Sequence, residues 1–335
     1  MHRILTPISL SVIVLIAFGG ARAADVVRIA PAEGDGAAFG IEGQVLDYTG
    51  REIVIRLDRG TERRVPADRV VEIQTAWPPG YEEGLRALAE KDFPAAQENL
   101  IAANRAESRA WARRLILAGL ARAMLGLGHA DQAGEVVLAI LASDPASPHL
   151  DLLPLAWSGD AEVPPQKAQA WLAQPDLPAA NLLGASYLLS TAKQMDAAEV
   201  LRRLTAVPDA RIATLAEAQL WRTRVATADA AEVARWQAAI EQMPVELQAG
   251  PYFVVGEALR RLGRQDEAAL ALLRVPVHAP EKSGLAARAL LAAAESLRDA
   301  GHPDEALRLA REILRDHAET PSAKTAEELV RMLQR

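Results

Sequence analysis

The side chains able to perform acid–base, nucleophilic or metal chemistry are scattered along this sequence. The six histidines stand at positions 2, 129, 149, 278, 302 and 317. None has another nearby, so the zinc-binding helix with histidines at i and i+4 is absent. There is no cysteine, which excludes thiolate nucleophiles, disulfides, cysteine zinc sites and iron–sulfur clusters. Neither a Gly-x-x-x-x-Gly-Lys-Ser/Thr phosphate loop nor a Gly-x-Ser-x-Gly nucleophile elbow occurs. Gly34-Asp35-Gly36 is glycine-rich, but no helical pattern follows to aim amides at a phosphate, so it reads as a loop. Glu82-Glu83 and Glu327-Glu328 occupy adjacent helix positions, point apart and suit a solvated face. Arg109, Arg113 and Arg114 lie on helical spacing and could bind an acidic partner, although a solvated face accounts for them better. The expectation is therefore no catalytic residue, no metal and no cofactor.

The elements that carry these residues follow from composition. The chain has 335 residues, half of them hydrophobic but only 4% aromatic, a balance that favours helix over strand. Thirty-seven basic and forty-four acidic residues give a net charge of -7, which argues against a nucleic-acid partner. At the amino terminus, His2 and Arg3 precede an apolar run from Ile8 to Phe18, and Ala21-Arg22-Ala23 forms a small-x-small cleavage site. Residues 1–23 read as a signal peptide cleaved near Ala23/Ala24, with the mature chain exported to a periplasm and not membrane-spanning. The alternative is an uncleaved amino-terminal anchor, but the run is shorter than the roughly 20 residues that span a bilayer.

Residues 24–76 differ from all that follows. Short Val- and Ile-rich runs at 25–29, 40–47, 52–58, 62–65 and 70–74 are separated by turn residues such as Asp47-Tyr48-Thr49-Gly50 and Asp58-Arg59-Gly60. Ile53, Ile55 and Leu57 alternate onto one face, as do Val71 and Ile73. The order of strands and turns resembles small SH3-like or Sm-like β barrels. Only Phe39 and Tyr48 could furnish an aromatic ligand groove there, so a packing or docking module is the favoured reading. A glycan- or small-solute-binding role for this module is the alternative.

From Trp77 the pattern becomes helical and repetitive. Around Ala96, Ala133, Ala197, Ala268 and Ala306, the residue twelve places earlier is always Gly or Ala (Gly84, Ala121, Ala185, Gly256, Ala294). The residues four and seven places later are always apolar, and proline stands twelve places later at Pro145 and Pro280. Small residues on two helices let their backbones approach, and the apolar pair shares the anchor's face of the second helix. Leu125-Gly126-Leu127-Gly128, Leu262-Gly263-Arg264 and Ala300-Gly301-His302 stand where the turn between helices belongs. This spacing resembles the tetratricopeptide repeat. The expected fold class is mostly α: an α-solenoid of such hairpins preceded by a small β-barrel-like module.

The repeats divide into a pair over 77–144 and an array over 181–335, with a weak unit around Glu232, Trp236, Ala239 and Pro244. Between them, 145–180 carries seven prolines by position 178. That density precludes a long helix; only Gln166–Gln174 could form a short one, and Leu150, Leu152, Leu153, Leu155 and Trp157 should pack the segment down. The six tryptophans are spread along the chain, which suits core packing better than a sugar platform. Tetratricopeptide resemblance implies a concave groove lined by first helices that binds a protein or extended peptide, with groove positions one and four places after the small residue. This selects Glu257 and Arg260 in one repeat, Glu295 and Arg298 in the next, Arg288 earlier on the same helix, and Arg122 in the front pair. The recurring Glu–Arg spacing also fits a plain intrahelical ion pair. The resemblance implies a non-catalytic, exported scaffold in envelope assembly or cell-wall coordination; the oligomeric state is not readable.

Overall fold

Five short strands separated by tight turns form one antiparallel sheet: β1 (Asp25–Ile29), β2 (Phe39–Tyr48), β3 (Glu52–Arg56), β4 (Glu62–Pro66) and β5 (Val70–Gln74), in the order β4-β3-β2-β1-β5. A 3₁₀ turn, Ala67–Arg69, joins β4 to β5. The computed structural model describes residues 24–31, 37–158, 163–279 and 282–334. Residues 1–23, read above as a signal peptide, lie outside them, as do Gly34-Asp35-Gly36 and Pro280. Ile53 and Ile55 are fully buried, in keeping with their alternation. Val71 is 60% exposed, however, because the β1–β5 register shifts between Arg28 and Ile29 and turns Val70, with Ile73, toward the core instead. That core also contains Trp111 and Ala112 from the helical part.

Two of the three clustered arginines account for this junction and face the sheet, not solvent. Arg114 is 7% exposed and donates to the Asp47 carboxylate and, at 2.8 Å, to the Tyr48 carbonyl. Arg109 donates to Glu107, to Thr75 Oγ1 at 2.6 Å and to the Ala76 carbonyl at 2.9 Å. Burial alone would raise the Glu107 carboxyl; the hydrogen bonds and charge of Arg109 outweigh it and hold it below the usual carboxylate range. Only Arg113 stays near solvent, within 3.4 Å of Asn104.

Fourteen α-helices follow among the described residues. They pair as hairpins α1 (Tyr81–Ala89) with α2 (Phe93–Ala106), α3 (Ala110–Gly126) with α4 (Ala130–Ser143), and α6 (Pro178–Leu188) with α7 (Gln194–Leu204). Next come α8 (Ala210–Trp221) and α9 (Ala230–Glu241), which meet through the stacked Trp221 and Trp236, and the hairpins α10 (Ala249–Arg261) with α11 (Gln265–His278) and α12 (Ser283–Asp299) with α13 (Pro303–Asp316). Helix α5 (Pro165–Leu172) packs on α6, and α14 (Pro321–Leu333) closes the end. All five anchor alanines are fully buried. At Gly84 and Gly256 an added Cβ would lie 2.6 and 2.4 Å from Leu100 and Leu272, the residues four places after the anchors. The sequence spacing thus maps a direct contact between the two helices of a hairpin.

Four hairpin turns share one geometry. Gly128, Gly263 and Gly301 have φ of 76°, 74° and 87°, and Lys91 takes the same place with φ of 59°. In each turn the next amide reaches back five residues, as His129 does to the Met124 carbonyl at 2.9 Å. That is a Schellman closure, in which glycine avoids the Cβ strain of left-handed backbone. One continuous core runs from Ala118 in α3 to Ala293 in α12, and a second joins α12, α13 and α14.

Candidate partner-binding site

The first helices α6, α8, α10 and α12 touch one another in succession, so they form the inner, concave layer of the rear array. That layer is not empty. The proline-rich chain from Pro148 to Ser158 runs across it as a strap, with Leu150, Leu152 and Leu153 no more than 2% exposed. Proline removes amide donors and favours extended backbone, which leaves carbonyls for the helices to satisfy. Tyr187 Oη donates to the Pro154 carbonyl at 2.8 Å, and Gln219 Nε2 to the Ala156 carbonyl at 3.0 Å. Ser186 Oγ accepts from the Ala156 amide at 3.0 Å. Arg222 donates to the carbonyls of Ala156 and Ser186, each at 2.7 Å, and of Ser158 at 3.0 Å. The Trp157 indole fills the space of a side chain missing from Gly250, where a Cβ would fall 1.8 Å from Cε2.

Beside Trp157 the concave layer opens into a cavity of about 430 Å³. Its apolar walls are Trp157, Leu189, Phe253 and Leu291, and its charged walls are Arg222, Glu257, Arg260, Arg288 and Glu295. Arg260 bridges two repeats, with Glu257 Oε1 at 3.1 Å on its own helix and Glu295 Oε2 at 2.6 Å on α12. Burial alone would depress the Arg260 guanidinium, but the two carboxylates outweigh it and hold it above its ordinary value. Burial pushes Arg222 down to about 10, so it remains charged at neutral pH.

Of the six residues selected from sequence, four meet here: Glu257, Arg260, Arg288 and Glu295. The other two do not. Glu295 is engaged by Arg260, and Arg298 turns to Asp299 at 2.8 Å instead of closing an intrahelical pair. Arg122 lies on α3, where its charge acts on Tyr81 and His149. Burial first, and Arg122 second, lower His149 to about 4. Sequence reasoning missed Ser186, Tyr187, Gln219 and Arg222. The offset rule counted from Ala185 lands on Ser186 and Leu189, so that signal was present. It fails in the next repeat, where residues 222–229 lengthen the turn between α8 and α9.

Among the described residues, no three histidine, aspartate or glutamate side chains cluster so as to hold a metal ion, and no helix is long and apolar enough to cross a membrane. Tryptophans pack internally: Trp221 and Trp236 stack at 5.4 Å, and Trp111 and Trp171 are each 1% exposed.

No model of a known protein family matches the chain, and no curated protein matches it. Among solved structures it is similar to residues 1–338 of the assembly chaperone of RpL4 (Acl4), at 15% identity over 76% of this chain and 94% of that one, with a TM-score of 0.35. It is also similar to the TPR2AB domain of yeast Sti1, solved as a complex with pHSP90. There the identity is 15% over 76% of this chain and 97% of that one, with a TM-score of 0.22. The hairpins, their anchor contacts and their shared turns define an α-solenoid of tetratricopeptide-like units preceded by a five-stranded sheet.

Proposed function

We propose that this chain is a non-catalytic scaffold that holds a partner protein at the cavity beside Trp157. The observation that carries the reading is the convergence of Glu257, Arg260, Arg288 and Glu295, from two successive first helices, around one apolar floor. Such a site suits an apolar side chain flanked by polar groups, the arrangement of a protein–protein anchor pocket. We place the chain in the periplasm after cleavage near Ala24, with a role in envelope assembly or cell-wall coordination. Strand order and the 3₁₀ turn before β5 support an SH3-like reading of the β module.

The test is crosslinked co-purification from an envelope fraction, identification of the partner, and titration calorimetry with the purified pair. Arg260→Ala combined with Arg288→Ala should weaken binding about tenfold or more, a loss of about 1.4 kcal/mol. Arg298→Ala should leave it unchanged. Wild-type affinity in the double variant would remove this cavity as the site. Amino-terminal sequencing should find Ala24; an intact Met1 in a membrane fraction would replace export by anchoring.

A further inference from the structure

A cavity of about 520 Å³ lies at the amino-terminal ends of α6 and α8, where the chain leading into the strap faces the turn between α5 and α6. It shares no wall residue with the cavity beside Trp157. Its floor is Leu141 of α4, Leu150 of the strap, Ala179 of α6 and Ile212 of α8, all buried in the continuous core, and Gln174 and Asp176 stand at its rim.

Both lips are fixed by side chains that bind main-chain carbonyls. On one lip Arg211 donates to the carbonyls of Pro145 and Ser147, each at 2.7 Å, and Asp144 just before them accepts the Gly50 amide at 2.8 Å. On the other, Pro175 and Pro178 line the cavity, and Asn181 Nδ2 donates to the carbonyls of Leu172 at 3.0 Å and Gln174 at 2.7 Å. Proline restricts the backbone on each side, and these bonds hold the lips apart over the floor. A preformed concave space with an apolar floor and a few polar groups at its rim is the form of a small-ligand site.

The charges of the wall decide the kind of ligand. Arg211 is neutralised by Asp209, whose carboxylate accepts from its Nε at 3.1 Å, its Nη2 at 2.9 Å and its backbone amide at 3.0 Å. The last of these bonds also caps the amino terminus of α8. Asp176 is exposed and has no ion pair or hydrogen bond among the described residues. With Asp209 and Arg211 cancelling, Asp176 leaves the wall with a net negative charge.

We propose that this cavity binds a small ligand with an apolar body and one cationic end, an amine or a quaternary ammonium. The body lies on Leu141, Leu150 and Ile212, and the cation sits beside Asp176. A cavity of about 150 Å³ lined by aliphatic and aromatic side chains holds one benzene ring, so the space here has room for a ring and a short chain. Next to the low-dielectric wall a carboxylate attracts a cation more strongly than in bulk water.

Titration calorimetry of the purified protein with 4-phenylbutylamine, 4-phenylbutan-1-ol and 4-phenylbutanoate varies the end group on one apolar body. At neutral pH the amine is protonated, as a lysine side chain is, and the acid is ionised. An exposed ion pair is worth up to about fivefold in affinity, so the amine should bind about fivefold more tightly than the carboxylate, with the alcohol between them. Asp176→Asn should bring all three within about twofold, because the charge that sorts them is gone. The amine should also move the Ile212 δ1-methyl resonance, assigned by its loss in Ile212→Val. Ala142 lines the cavity at an exposed position of α4, so Ala142→Trp should block the amine while circular dichroism and melting temperature stay unchanged. Absence of amine binding up to about 10 mM, a weak affinity for a ligand of this size, overturns the proposal. Equal or reversed affinities of amine and carboxylate, an unmoved Ile212 resonance, or undiminished amine binding in Ala142→Trp does the same.

Discussion

Gly256→Ala tests whether the repeat spacing is read correctly. The new Cβ would lie 2.4 Å from Leu272 Cγ and 2.7 Å from its Cδ2, against an ordinary carbon–carbon contact of about 3.5–4.0 Å. Leu272 is fully buried, so one helix or the other must shift by about 1 Å. Overpacking of this kind destabilises by about 1–3 kcal/mol, and the gain in helix propensity offsets about 1 kcal/mol. Gly256→Ala should therefore be destabilising by about 0–2 kcal/mol, and Leu272→Ala alone by about 2–5 kcal/mol through its cavity. In the double variant the added methyl occupies space that Leu272 vacated. It should be about 1 kcal/mol more stable than Leu272→Ala alone, a coupling outside the additivity of independent sites. Urea unfolding followed by circular dichroism gives the midpoints, provided the slopes agree. Strict additivity would show that Gly256 and Leu272 do not share one packing site and would undo the anchor assignment. Gly84 and Leu100 supply the matching cycle in the first hairpin.

Lys91→Gly should raise stability by about 0.5–1 kcal/mol, read as a higher melting temperature, since left-handed backbone strains a side chain by about 1–2 kcal/mol and glycine's chain entropy returns part of it; no change would mean that Lys91 is unstrained. His149, lowered from 6.5 to about 4 chiefly by burial, binds its proton more readily when unfolded. Its contribution is thus present above the unfolded pKa and lost as pH falls from about 6.5 toward 4, by on the order of 3 kcal/mol. His149→Gln should flatten that part of a stability-versus-pH curve, and an unchanged acid limb would assign it to other groups. Arg222→Met removes a donor from the carbonyls of Ala156, Ser158 and Ser186, of which Ala156 keeps Gln219, but relieves a buried charge. A net loss of about 2–4 kcal/mol is expected in urea unfolding, and a wild-type midpoint would show that the strap does not depend on this guanidinium.

Legibility tracked the range of the interactions involved. Strands and hairpins are set by local periodicity and turn residues, and the anchor spacing even marks residue contacts such as Gly256 with Leu272. Val71 turned outward because its register depends on the irregular pairing of Arg28 and Ile29 in a distant strand. Arg109 and Arg114 look like a surface cluster when only α3 is considered; the sheet that covers them is more than thirty residues away in sequence. Glu295 looked like the partner of Arg298 by spacing, but Arg260 of the preceding repeat approaches it more favourably. None of these outcomes has a local signature, because each is decided by which element packs on which.

The strap changes what tetratricopeptide-like architecture implies for binding. A partner laid along the whole rear groove would have to displace the Pro154–Ser158 stretch, including the Trp157 indole that fills the space at Gly250. It would also have to replace the hydrogen bonds from Tyr187, Gln219 and Arg222 and the one accepted by Ser186, at about 1 kcal/mol net apiece. Those four bonds alone would offset about half of the roughly 8 kcal/mol with which a micromolar peptide binds. The chain's own segment therefore competes with such a partner, and Trp157, at the end of that segment, is a wall of the neighbouring cavity. On the proposed function, a partner is expected at the surface the strap leaves open, where Glu257, Arg260, Arg288 and Glu295 surround the space beside Trp157.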